Sequence, residues 1–191
     1  MNRKGNKTAR HPIRKLSDIE KIKAMLYPHA RNYALFVFGI NTGYRANEIV
    51  KLKVRDVRNI GKGELLRVYQ TKTKKYRSVY LNENVYAAVQ RLIEEESLKD
   101  DDPLFKSNKE SGHLTEGTVN RLMKKWCADV GLIGGYGSHT IRKTWGYQQR
   151  KNNNVPLHVL MVAFGHSTQR QTLNYLCIEQ EEVEELYHFN I

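Results

Sequence analysis

Tyr175, His166, Arg142, His139, Lys72 and Arg45 are the side chains whose types and order suit chemistry at a phosphodiester. Metal-free displacement at phosphorus gathers negative charge on the non-bridging oxygens, so fixed cations must face them. Arginine serves best, because its planar fork grips two oxygens and keeps its charge; Arg45 and Arg142 are the candidates. A side-chain oxygen must attack, and Tyr175 can do so once its phenol, with an ordinary pKa of about 10, loses its proton. His139 is a suitable general base, and His166 can complete the phosphate cage by hydrogen bonding. The leaving 5′ hydroxyl needs a proton, which Lys72 could donate unless it instead holds minor-groove atoms. Taken singly, each residue has a plain alternative: a capping histidine, a solvent-facing lysine, a core tyrosine between Leu173 and Leu176. Together they form an ordered pattern that packing alone does not require.

The elements that must position these groups are readable in outline. Ser17-Asp18-Ile19-Glu20 marks a helix start, with Ile19, Ile22 and Leu26 on one face and Pro28 as the stop, predicting a helix over about 18–27. The apolar stretch Tyr33 to Ile40 predicts a buried helix stopped near Gly43, followed by a short one over about 46–51. Leu65 to Gln70 and Tyr76 to Leu81 are rich in β-formers, and Val54 to Val57 is expected to add a third strand. The result is a small antiparallel sheet whose tip, from Thr71 to Lys75, is strongly basic. Asn82 caps a helix with Val85, Val89, Leu92 and Ile93 on one face. After a loop over 97–114, Thr115 opens a helix whose stripe of Val119, Leu122, Met123, Trp126 and Val130 reads as core, ended by Gly131. Ser138 is expected to cap a helix from His139, and Pro156 to sit in the first turn of the next, which stops near Gly165. Tyr175 falls on a short helix from about Thr168. A last helix over about 179–189 joins an acidic face to apolar Val183, Leu186, Tyr187 and Phe189.

Bulk properties narrow the partners. The 191 residues carry a formal charge of +12 and a pI near 9.7, although residues 176–191 hold five Glu and no Lys or Arg. So basic a body points to a polyanion, with nucleic acid the first candidate. Residues 1–15 hold six Lys or Arg and no acid, and read as a flexible basic arm. Cys127 and Cys177 form no disulfide framework or ligand pattern, which fits a reduced, cytosolic setting. No signal peptide is visible, and no run approaches the roughly 20 apolar residues of a membrane span. No carboxylate cluster suggests a metal nuclease.

The motifs resemble the catalytic domain of the tyrosine recombinases, the phage-integrase family. Thr42-Gly43-Tyr44-Arg45 with Glu48 and Leu52 looks like the family's first box. His139-Thr140-Ile141-Arg142 is similar to the second and Gly165-His166-Ser167 to the third, and Tyr175 follows His166 by nine residues. Lys72-Thr73-Lys74-Lys75-Tyr76-Arg77 fits the family's hairpin run, with Lys72 matching the general acid and Lys74 the competing assignment. The resemblance implies an α+β, mostly helical fold with a small three-stranded antiparallel sheet. It makes residues 16–178 the catalytic domain and residues 179–191 a C-terminal helix that docks in trans or packs in cis. It assigns Arg45, Lys72, His139, Arg142, His166 and Tyr175 to catalysis, Glu48 to buttressing the site, and Lys74, Lys75 and Arg77 to DNA. It implies no cofactor, since a 3′-phosphotyrosyl ester stores the bond energy, and no metal. The implied partners are double-stranded DNA and a homotetramer assembled on it, in a bacterial or phage-encoded, cytoplasmic and nucleoid-associated setting. Only about fifteen residues precede the first helix, where most members carry a core-binding domain. This resembles the short fimbrial-switch invertases, and it leaves an excised fragment or an accessory DNA-bending or core-binding partner as further expectations. A type IB topoisomerase-like enzyme and a DNA-binding regulator of the same fold are the competing readings.

Overall fold

Ala34 to Phe38 are five consecutive residues with no more than a trace of exposed surface, so the helix they form is buried on every side. It runs through the middle of the molecule. The structure, a computed structural model, describes residues 10–70, 75–107 and 112–188. The buried helix is α2 (Ala30–Thr42), flanked by α1 (Leu16–Leu26), α4 (Glu83–Glu95) and α6 (Ser138–Lys151). α3 (Ala46–Ile49) follows α2 directly, and β1 (Leu65–Gln70) pairs antiparallel with β2 (Lys75–Tyr80). α5 (Glu116–Asp129) packs on α6, and α7 (Leu157–Phe164), α8 (Gln169–Leu176) and α9 (Glu179–Glu185) complete the described chain.

Local signals explain most boundaries. Asn82, Thr115 and Thr168 each cap a helix, their side-chain oxygens accepting from the backbone N–H of Val85, Thr118 and Gln171. α6 starts one residue before the expected His139. Its N-cap is Gly137, and Asn120 of α5 covers the start by accepting from the Ser138 N–H.

The sheet has two strands, not three. Val54–Asp56 forms a 3₁₀ turn instead of a strand. Val54 and Val57 are both fully buried, and a spacing of three puts them on one side only if the chain winds. Asp56 Oδ2 also accepts from the Lys53 N–H at 2.8 Å, closing the turn. Residues 1–9 of the expected basic arm lie outside the described residues, and residues 10–15 are held against α6. Ile13 is 1% exposed, its N–H donates to Thr144 Oγ1 at 2.9 Å, and Gln148 of α6 donates to the carbonyls of Ile13 and Arg14. One apolar residue inside the basic run ties that segment to α6.

Apolar side chains form two cores. The larger gathers α1, α2, α4, α5 and the hairpin, and reaches α6 through Ile141. The smaller holds Tyr147, Leu160, Phe164, Leu176 and Ile178. α6 serves both, and Gly146 lets them close: a Cβ there would stand 2.4 Å from Phe164 Cζ. Between Ile141 and Tyr147 on α6 lie Arg142 and Trp145, at the seam.

The acidic C-terminal helix is held by ion pairs. Arg150 binds Glu182 at 2.7 Å, Arg170 approaches Glu179 at 3.5 Å, and Arg14 and Lys151 pair with Glu181 and Glu185. α9 is shorter than expected and passes into a 3₁₀ turn over Leu186–His188; Phe189 lies outside the described residues. Val183, Leu186 and Tyr187 are 50%, 65% and 85% exposed, so the apolar stripe has no cover within the described chain. Among the described residues no helix is long and apolar enough to cross a membrane.

Candidate active site

The end of α2 builds the first wall. Gly43 takes a left-handed φ of 60°, which ends the helix and leaves the Thr42 and Gly43 carbonyls without helical partners. Two guanidinium groups satisfy them. Arg77 donates to Gly43 O at 2.8 Å and Thr42 O at 3.0 Å, and Arg142 Nη1 donates to Gly43 O as well. Arg142 Nη2 reaches a second helix end, donating to Phe164 O at 3.1 Å at the close of α7. Cations at helix C-termini also suit the macrodipole. A bifurcated grip on two helix ends fixes Arg142 while leaving some of its five N–H donors for a ligand. Burial pushes its pKa down to about 10, with Arg77 and Arg45 adding to the effect, so it stays charged at neutral pH.

Arg45 sits across from it at the start of α3. Glu48 accepts from the Arg45 backbone N–H at 2.9 Å through Oε2 and from Nη1 at 3.0 Å through Oε1. One buried carboxylate therefore fixes both the backbone and the fork of Arg45, which keeps 22% of its side chain open.

His166 and Tyr175 close the site from α7 and α8. His166 follows the α7 stop at Gly165 and stacks on Phe164 at 5.2 Å, and its Nδ1 lies 3.0 Å from Thr172 Oγ1. That leaves Nε2 with no hydrogen bond among the described residues. Burial first, then Arg142 and Arg45, push its pKa below the ordinary imidazole value, so it is neutral at pH 7. The Tyr175 ring packs against Phe164 and His166, each centroid 5.1 Å away. Burial raises the phenol above its ordinary pKa, while the charges of Arg142 and Arg45 pull the other way. Arg142, His166, Tyr175 and the field of Arg45 thus converge at the seam between the two cores.

His139 stands exposed in the first turn of α6 and makes no side-chain hydrogen bond among the described residues. The protein wall behind it lowers its pKa most; Lys143, Arg142 and Arg45 lower it further, against Glu116, which raises it. Its solvent-facing ring tempers the first effect. Lys72 and Lys74 lie outside the described residues. Lys75 starts β2, and nothing more is described of its side chain. Arg77, expected to contact DNA, is instead turned inward: its guanidinium lies 4.8 Å above the Tyr44 ring and 5.7 Å from that of Trp145 while holding the α2 carbonyls. Trp145, Phe164 and Thr172 are further members of the site. Trp145 falls three residues after Arg142, hence on the same face of α6, which is the signal that sequence spacing offers. Among the described residues no group of three or more His, Cys, Asp or Glu is placed to hold a metal.

Known proteins are similar to this chain in sequence and in fold. Residues 12–182 match the model of the phage integrase family. The probable integrase/recombinase YoeC of Bacillus subtilis (strain 168) is 31% identical over 179 residues, 92% of this chain and 94% of that protein. The tyrosine recombinase XerC of Caldanaerobacter subterraneus subsp. tengcongensis is 28% identical over 197 residues, covering 96% of this chain and 52% of its own. Among solved structures, the post-cleavage complex of the XerH site-specific recombinase bound to its palindromic difH substrate superposes with a TM-score of 0.74 at 23% identity, over 98% of this chain and 54% of that one. This chain therefore spans nearly all of YoeC but about half the length of XerC and XerH. A family-model match across residues 12–182, most of the chain, places this chain in the phage integrase family.

Proposed function

We propose that this protein is a site-specific DNA recombinase that cuts and rejoins double-stranded DNA through a 3′-phosphotyrosyl intermediate. The observation that carries this reading is the convergence of Arg142, His166 and the field of Arg45 on the Tyr175 phenol. A scissile phosphate seated there meets two fixed guanidinium groups and the free Nε2 of a neutral His166. Tyr175 Oη attacks phosphorus, the bond to the 5′ oxygen breaks, and the phenolic proton passes to His139. The leaving 5′ oxygen takes a proton from Lys72, the family's hairpin position. The 5′ hydroxyl of a partner duplex then attacks the phosphotyrosyl ester and frees Tyr175. Bond energy is conserved in the ester, so the cycle needs neither nucleotide nor metal. Exchange of two duplexes calls for four such sites, hence a homotetramer on DNA. The uncovered stripe of Val183, Leu186 and Tyr187 is suited to docking on a neighbouring copy.

The test is covalent capture on a pool of nicked duplexes that includes the ends of the genetic element encoding the protein. The nick lets the cut strand diffuse away and traps the ester. DNA that remains bound through SDS at one shared sequence, and is lost in Tyr175→Phe, supports the reading. DNA binding without adducts would overturn it in favour of a regulatory role. Plasmid relaxation with no preferred site would favour a topoisomerase.

A further inference from the structure

Lys143 follows Arg142 on α6 and is 8% exposed, yet no ion pair among the described residues involves it. Its Nζ lies 4.8 Å from the centroid of the Tyr175 ring and 3.5 Å from Cys177 Sγ. Cys177 caps α8 in a left-handed conformation, φ 60°, so Lys143 touches both the nucleophile and the residue that ends its helix. Four residues earlier on α6 stands His139, whose pKa Lys143 helps to depress. One buried ammonium thus contacts the candidate nucleophile and acts electrostatically on the candidate base. Burying a charge without a carboxylate is costly. Burial holds the Lys143 pKa below the ordinary lysine value, Cys177 partly offsetting this. The other charged groups around the pair are Arg142 and Arg45, which act on Tyr175, Glu116, which acts on His139, and Arg14, which donates to Cys177 O.

We infer that Lys143 is a positioning residue for the tyrosine nucleophile: its ammonium fixes the ring of Tyr175 by a cation–π contact and favours the phenolate that attacks. The inference rests on Tyr175 being the nucleophile, and its two tests separate the claims. The first is the rate of covalent capture against pH for wild type, Lys143→Met and Lys143→Arg. Help from a lysine whose pKa is lowered is present at neutral pH and fades as pH rises through that pKa. Wild type should therefore exceed Lys143→Met roughly tenfold near pH 7, the scale of one desolvated cation–π contact, with the gap closing at alkaline pH. Lys143→Arg, which does not deprotonate, should keep its advantage. A ratio independent of pH would mean a merely structural role and would overturn the inference.

The second test needs no DNA. Protein labelled with 3-fluorotyrosine is titrated by ¹⁹F NMR, with Tyr175→Phe identifying the Tyr175 signal. Fluorine acidifies the phenol and so lowers the pH at which it ionises, and Lys143→Arg, which keeps its charge throughout the titration, serves as the reference. Lys143→Met should raise the Tyr175 midpoint by about one pH unit, with Lys143→Gln as the second variant should Met impair folding. An unchanged midpoint overturns the inference. Absence of adducts in wild type, beside a shifted midpoint, would sink the recombinase reading while leaving Lys143 coupled to Tyr175.

Discussion

Replacing Gly43 by Ala should damage the protein through two separable terms. The first is backbone: Gly43 holds φ 60°, and an L side chain in that region costs about 1–2 kcal/mol. The second is space. A Cβ on Gly43 would stand 2.4 Å from Trp145 Cε3, and overpacking of this kind costs about 1–3 kcal/mol. The sum is about 2–5 kcal/mol, a large share of the roughly 5–15 kcal/mol that holds a domain together. For a chain of 191 residues that corresponds to a fall in Tm of about 5–15 °C. Relief of the clash would also move the Gly43 carbonyl away from Arg77 and Arg142, so DNA cleavage should fall along with stability. Equilibrium urea unfolding of Gly43→Ala, Trp145→Ala and the double variant checks the reasoning. Trp145→Ala removes the atoms that clash, so the double variant should be about 1–3 kcal/mol more stable than the sum of the single losses predicts. Additive losses, or a Gly43→Ala cost under about 0.5 kcal/mol, would refute the steric account.

Two further perturbations probe the site. Thr172→Val removes the hydroxyl 3.0 Å from His166 Nδ1; it should cost about 1 kcal/mol in urea unfolding and slow covalent capture by more than stability explains. The pH dependence of capture should show its acid limb below about pH 6.5, because the base must be neutral and the His139 pKa is lowered. Initial rates from pH 5 to 9 measure this, and a half-loss above pH 7 would exclude His139 as the base.

Periodicity and caps located nearly every helix, because α1, α4 and α5 each bury one continuous stripe. Val54 to Val57 misled because β-branched residues favour strands, whereas burial of both ends at a spacing of three favoured a turn. For residues 10–15 of the expected basic arm, composition hid the burial of Ile13, which ties that segment to α6. Arg45, His139, Arg142, His166 and Tyr175 were legible from their order and spacing, and they lie at the start of α3, in the first turns of α6, just past α7 and in the last turn of α8. The inward turn of Arg77 was not, since charge alone does not reveal that two carbonyls at the end of α2 lack partners. Nor was Lys143 legible, because its significance lies in burial beside Tyr175 rather than in any spacing.

The central claim is tested most directly by locating the covalent bond. DNA trapped on the protein would be digested with protease and nuclease, and the residual nucleotide–peptide analysed by mass spectrometry. The account predicts a 3′-linked phosphodiester on the phenol of Tyr175, within the peptide containing Leu173 and Asn174. A phosphate on any other residue, or a 5′ linkage, would contradict it.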